Sequence, residues 1–467
     1  MVALKSWAPD LPPFGHDNLV TAKNVVPGPL GYTPAPSLVA ATAALPAAWK
    51  GGGSFIGVGG TSVMLAGAAG GLYKLTASAA TNKHSGTYTA RWYFAQFGDL
   101  VVCVNGQAPV KYTIATDTGA ALGGSPPTST MVAIVRDFVF LAGNSSAVST
   151  VYWSAINNAE GWTAGTDQSD DQVLPDGGEI TGLAGGEFGL VFQADAINRF
   201  DYQGLPFIFT RSKVSDNVGA ICHGSIARSG NMVFFKHRTG FYKYEDGALE
   251  PIGAQKVDTT FAQMYSVADI KNNLSAAIDP YRKLVIWAMP DRLWLYNWEL
   301  KAWSYIEIAG LSGITVGRTA SATLEGLDAT YPDVDAMTIS LDDPQFQGGE
   351  PFLMAAYSDF KLYSFGGPNL AALMRMAIQE PFNGRETIVR GARIDGDITA
   401  GASLRLDCSA RLADSQTTFE ASTVRANGDT PIRARGRYIQ PELAFNASAA
   451  WNYVQGFDVY GVAGGRQ

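Results

Sequence analysis

Charge is sparse along this chain. Only 16% of its 467 residues are Asp, Glu, Lys or Arg, against roughly 25% in an average soluble protein. The net charge is −8 and the pI about 5.1. No run of lysines and arginines occurs. A protein that grips nucleic acid by its phosphates needs a basic stripe, so tight DNA binding is not expected. The nearest cluster, Arg433, Arg435 and Arg437, alternates along one strand face and reads as a solvated or interface-facing strand. Cysteine is scarcer still. Cys103, Cys222 and Cys408 are odd in number, far apart and free of any CxxC spacing, so a disulfide framework is not expected. The four histidines, His16, His84, His223 and His237, show no zinc spacing. His237 falls in a hairpin turn and is expected at the surface. Cys222 and His223 are neighbours, and on a strand they would point to opposite faces, which argues against a nucleophile–base pair. No apolar run approaches 18 residues, so no membrane span is expected. The opening MVALKSWAPDLPPFGHDN has no apolar core of the signal-peptide kind. Without one, the three sequons at Asn144, Asn273 and Asn446 read as chance.

Glycine, by contrast, is plentiful at 52 residues, and 46% of the chain is apolar. With so many Val, Phe, Tyr and Thr, this composition predicts an all-β fold. An internal repeat sharpens that reading. An apolar run, a short polar turn and a second apolar run with an aromatic recur, as in VMLAGAAGGLYKL from Val63, LVVCVNGQAPVKYTI from Leu100 and LVIWAMPDRLWLYNW from Leu284. Aligned on the second run, one position reads Tyr73, Tyr112, Tyr152, Phe200, Tyr242, Tyr296 and Tyr363. Two residues on stand Leu75, Ile114, Tyr202, Tyr244, Trp298 and Phe365, with Ser154 the exception. Residues two apart on a strand share a face, so these pairs mark the buried face of a hairpin strand. The turns carry hairpin chemistry at Gly70-Gly71, Asn105-Gly106, Pro290-Asp291 and Ser358-Asp359. Hairpins at about this spacing suit the four-stranded blades of a β-propeller. Seven copies predict six or seven blades over residues 51–385. The tryptophans Trp287, Trp294, Trp298 and Trp303 belong to the sixth copy. Inter-blade packing is their expected role, since stacking platforms need exposed aromatics flanked by cations.

Three regions depart from the repeat. Residues 1–50, rich in Pro, Ala and Leu, read as an extended arm. Residues 309–350 read as an insertion on a loop. Residues 386–467 hold alternating runs separated by Gly, Asn and Asp turns, the pattern of a small β-sandwich. NLAALMRMAIQEPF (369–382) fits either one helix capped by Asn369 or a strand.

Chemistry-bearing constellations are weak. The densest acidic stretch, GTDQSDDQVLPDGGE, offers Asp167, Asp170, Asp171, Asp176 and Glu179. It lacks the ligand spacing of a calcium loop and reads as a polar loop. SAINNAEGW (154–162) is a distant, single echo of the sialidase box, without its key Asp. GVGGTS (57–62) lacks the Lys and following helix of a phosphate loop. No GxSxG motif occurs. No catalytic, cofactor-binding or metal-ligating residue is therefore assigned, and the chain is read as architecture whose function lies on its surfaces.

Several stretches carry a family resemblance. LVTAKNVVPGPLGYTPAPSLVA, RWYFAQFGDLVVCVNG, YWSAINNAEGW, GEITGLAGGEFGLVFQADAINRFDYQGLPFIF, GSIARSGNMVFFKHRTGFYKYEDGALEPIG and PIRARGRYIQPELAF resemble the tail hub, or nozzle, proteins of short-tailed bacteriophages, also called packaged-DNA stabilisation proteins. The likeness spans nearly the whole chain and is structural in its motifs. It implies a homo-hexameric ring in the virion tail, below the portal and its adaptor, with propellers walling the channel for genomic DNA. It also implies that the N-terminal arm and C-terminal β-domain form a platform against the adaptor, and that fibres, spikes or a needle are neighbours. It carries no catalytic residues. Net acidity agrees with a conduit, which must not hold the DNA it passes. The alternative from the residues alone is a glycan-binding or glycan-hydrolysing propeller, with the acidic stretch and the Trp287–Trp303 aromatics at its mouth.

Overall fold

The computed structural model describes residues 2–318, 351–420, 423–425 and 427–465. Strands account for nearly all regular structure. Among the described residues the α-helices are two short ones, α1 (Asp258–Met264) and α2 (Val267–Asn273). The all-β expectation is met.

The repeat is visible as successive antiparallel sheets. Residues 51–85, 93–121, 131–173, 180–215 and 227–251 each fold into a four-stranded sheet, here the first to the fifth. Residues 275–307 form a sixth four-stranded run, which begins a nine-stranded sheet. The seventh sheet takes Leu311–Arg318, Pro351–Tyr357 and Leu362–Asn369, and completes itself with Pro36–Ala40 from near the N-terminus. The repeated aromatic falls on the third strand of every unit. Tyr73, Tyr112, Phe200 and Tyr296 are buried, while Tyr152, Tyr242 and Tyr363 are half-buried. Ser154 breaks the pattern for a local reason. Its buried hydroxyl accepts from the Val139 N–H at 3.0 Å, taking over a ladder bond where the third strand ends at Trp153.

Apolar cores lie between consecutive units. Leu65 and Leu72 of the first sheet pack with Val101 and Tyr112 of the second. Val102 and Val104 of the second join Val139 and Leu141 of the third. Phe140 and Trp153 of the third meet Phe200 and Phe209 of the fourth, and Leu190 and Phe192 of the fourth meet Val233 and Phe235 of the fifth. Ile286 and Leu295 of the sixth run face Ile314 and Ala355 of the seventh sheet. Met354 and Leu362 of the seventh return to Ala66 and Tyr73 of the first. The first strands of neighbouring units touch in the same order, and from fourth to fifth the contact passes through the 3-10 turn His223–Ser225.

The terminal regions interweave. Beyond Ala302–Glu307, the nine-stranded sheet continues through Leu19–Lys23, Ala372–Met376, Tyr438–Phe445, Ala402–Ser409 and Thr417–Glu420. A seven-stranded sheet centred on Thr387–Ile398 and Trp451–Ala463 takes up the N-terminal strands Val25–Gly28 and Gly31–Pro34. One core serves both sheets, with Ile394, Leu404, Leu443, Trp451 and Phe457 buried together. Phe445 and Trp451 stack at 4.2 Å.

Several local expectations need correction. Residues 1–50 are read as an extended arm, and five of their strands are built into three different sheets. Of the expected insertion 309–350, Leu311–Arg318 is the first strand of the seventh sheet; residues 319–350 lie outside the described residues. The 369–382 stretch is not a helix. Ala372–Met376 is a strand paired on both sides, with Ala372, Met374 and Met376 buried. Asn369 donates to the Ala449 carbonyl at 2.9 Å and caps nothing. The helices lie earlier, where Ser266 and Asp269 form a capping box. Cys222 and His223 do not sit on a strand, since His223 opens a 3-10 turn. His237 is buried, 5% exposed, with Nδ1 2.9 Å from the Gly219 carbonyl oxygen.

Candidate functional site

The tryptophans of the sixth unit are packing residues. Trp287, Trp294 and Trp303 are each 0% exposed. Trp287 and Trp303 press on Phe241 of the fifth sheet, and Trp294 meets Phe261 of α1 and Trp7. The indole N–H of Trp287 donates to the Ser225 carbonyl at 2.8 Å, and that of Trp303 to the Ile252 carbonyl at 2.9 Å. Trp298 is half-buried against Phe234.

The acidic stretch does not converge. Asp170 and Asp171 lie exposed on the outermost strand of the third sheet, Asp170–Val173. Asp176 lies 3.6 Å from Lys213 and Glu179 3.3 Å from Lys271. Among the described residues no group of three or more His, Cys, Asp or Glu is placed to hold a metal. The GVGGTS segment is the hairpin turn between Gly51–Ile56 and Ser62–Ala68, with Gly60 at φ +81°. Arg433 and Arg435 are exposed; Arg435 donates to Glu386 at 2.5 Å and Arg437 to Glu380 at 2.7 Å. The His16 ring contacts Pro12 and Asn18, and the His84 ring contacts Tyr88.

Sequence reasoning missed a concave feature. It forms where the chain enters the first strands of the units, at their common centre. A cavity of about 650 Å³ is lined by Lys50, Arg91, Thr130, Glu179, His223 and Lys271, among others. A second cavity of about 310 Å³ lies beside it, walled by Gly51, Gly52, Ser54, Ala276 and Thr315. Arg91, Tyr93 and His223 line both, so they stand where the two meet. Arg91 reaches to the end of α2, donating to the carbonyls of Leu274 at 2.5 Å and Asn273 at 3.1 Å. These are C-terminal helix carbonyls, which attract cations. Tyr93 lies edge-on to His223 at 4.4 Å. Gly224 is packed tightly beside them. A side chain there would strike the Leu274 carbonyl at 2.4 Å and Arg91 at 2.9 Å.

Burial dominates the electrostatics of these groups. Burial raises the Tyr93 hydroxyl pKa, against the favourable pull of Arg91. Burial also raises the Cys222 thiol, so it stays protonated and unreactive. His223 opens partly onto the cavity yet is crowded on every side, and burial lowers its pKa to about 4. Its Nδ1 accepts from the Leu183 N–H at 3.2 Å, a bond that only the neutral ring can make. Lys50 spends its ammonium on the Thr89 carbonyl and Glu179 is tied to Lys271. No free base stands beside a nucleophile here. The centre could have been suspected from the unusual residues that precede first strands, such as Arg91, but nothing local joins them.

The fold thus defines an all-β protein built of small antiparallel sheets in succession, with its termini woven into one further body. No family model and no curated protein matches the chain. Among solved structures, it is similar to the extracellular domain of the putative one component system BT4673 from B. thetaiotaomicron, at 10% identity and TM-score 0.43, covering 85% of this chain and 47% of that one. It is also similar to BamB from Moraxella catarrhalis, at 12% identity and TM-score 0.37, covering 73% and 96%. A third is the AfRom2 CNH domain, at 8% identity and TM-score 0.42, covering 71% and 100%. The chain spans about half the length of the BT4673 structure.

Proposed function

We propose that the seven four-stranded units are the blades of one β-propeller, and that the chain is the ring-forming tail hub, or nozzle, of a short-tailed bacteriophage. In this reading six copies extend the DNA channel below the portal adaptor, help retain the packaged genome and conduct it on ejection. The role is structural and not catalytic. The sequence resemblance along nearly the whole chain supports it. The observation that carries it is the double use of the N-terminal segment. Pro36–Ala40 completes the seventh sheet, while Leu19–Lys23 bridges the sixth unit to the C-terminal strands. One N-terminal segment thereby ties the propeller to the platform, as a wall under pressure from packed DNA requires.

In this reading the genome passes between subunits and not along a propeller's own axis. A net charge of −8 per chain disfavours adhesion of phosphates to such a lumen.

Negative-stain imaging of the purified full chain tests this reading. Closed rings with six-fold symmetry and an open centre are expected, with no tight complex formed on adding linear duplex DNA at physiological salt. Separate single particles at every concentration would overturn it.

A further inference from the structure

The fourth sheet ends in a hairpin whose strands, Ile197–Gly204 and Ile208–Ser215, are both eight residues long. Its base is held firmly. Phe209 packs edge-on against Phe138, Phe140 and Trp153 of the third sheet at 5.0–5.3 Å. The Tyr202 hydroxyl donates to Gln168 at 2.9 Å, and the Arg136 guanidinium lies over the Tyr202 ring at 5.1 Å. Its tip is the opposite. Leu205 is 75% exposed and Phe207 78% exposed. Single exposed apolar residues are ordinary. Two within three residues, on a hairpin fixed by an aromatic base, form a preorganised apolar knob, and such a knob loses little freedom on docking.

A matching hole lies elsewhere on the same chain. Between the sixth unit and the seventh sheet is a cleft of about 160 Å³, lined by Leu284, Ile286, Leu293 and Leu295 on one side and by Leu353 and Phe365 on the other. An apolar cavity of about 150 Å³ accepts a benzene ring. The cleft is therefore sized for the phenyl ring of Phe207, and its walls are mainly apolar. Asp279 and Arg282 stand at its lining. The knob does not fill the cleft of its own chain, since its side chains are exposed. Knob and hole are on different sheets, so a contact between them joins unlike faces of two copies. Contacts of that kind propagate head to tail, closing into a ring where the rotation between copies closes and running on as a filament where it does not.

We propose that Phe207, flanked by Leu205, of one subunit seats in the cleft between the sixth and seventh units of the next copy. The proposal deepens the ring-forming reading above and rests on it. The test compares the full-length chain with Phe207→Asp by sedimentation velocity. Because Phe207 is exposed, the variant should keep the wild-type melting temperature. It should associate roughly ten- to a hundredfold more weakly, the loss of one buried phenyl per contact. In a second arm, Leu205→Cys chains, which keep Phe207, are mixed with Arg282→Cys chains and treated with a short bismaleimide. A cross-linked dimer is expected from the mixture and not from either chain alone or from wild type, whose Cys103 and Cys408 are buried and Cys222 half-buried. Rings of Phe207→Asp as stable as wild type, or rings without the cross-link, would overturn this contact and leave the hub reading standing. A wild-type chain that never assembles would remove both.

Discussion

At the residue scale, what could be read locally was the aromatic register. Tyr73, Tyr112 and Tyr296 announced their strands because alternation is a local signal. His237 and His223 were not legible. The partner of His237 is the Gly219 carbonyl and that of His223 is the Leu183 N–H, and no spacing rule links either pair. His223 also gives the protein a pH dependence with a definite sign. Burial holds its folded pKa at about 4, below the usual 6.5 or so of an unfolded histidine. Its contribution to stability is complete above about pH 6.5 and is lost as pH falls towards 4. His223→Asn keeps an acceptor for the Leu183 N–H but cannot titrate. Melting curves at pH 7 and pH 5 should therefore show the wild type losing a few degrees more than the variant. Parallel losses in the two proteins would mean that the ring is not held neutral.

At the element scale, hairpins were legible wherever turn chemistry flanked apolar runs, as at Asn105-Gly106, where Gly106 takes φ +85° and Asn105 accepts from the Gln107 N–H. The capping box of α2 was legible in principle from Ser266 and Asp269. Pairing between distant segments was not. Nothing in PSLVA reveals that Leu38 will lie opposite Phe365, because register between remote strands is set by the assembled core and not by either strand alone. The same holds for Arg375, whose place on a central strand lets it reach Asp407 at 2.6 Å, a carboxylate 2% exposed. Burial works against the charge of Asp407, yet Arg405, Thr418 and Arg375 together lower its pKa. The closing role of Pro36–Ala40 can be measured. Leu38→Asp puts a charge where a partly buried side chain packs on the core between the sixth and seventh units. It should cost about 1.5–3 kcal/mol, seen as a lower urea midpoint without a change in slope. An unmoved midpoint would show that this strand does not secure the seventh sheet.

For the whole molecule, the sequence was most informative about class and least informative about surface. Low charge, abundant glycine and a recurring hairpin predict successive small sheets, and the structure has them. The interwoven termini and the central cavities arise only when segments far apart in the chain meet. They shift attention from chemistry inside one chain to contacts between copies. If the subunit is a wall segment, its value lies in how many copies close the wall. Native mass spectrometry of the intact chain, of 49.6 kDa per copy, reads that number directly. The account predicts a dominant species of six copies that persists on dilution. A spectrum of monomers alone, at concentrations where the protein remains folded, would contradict it.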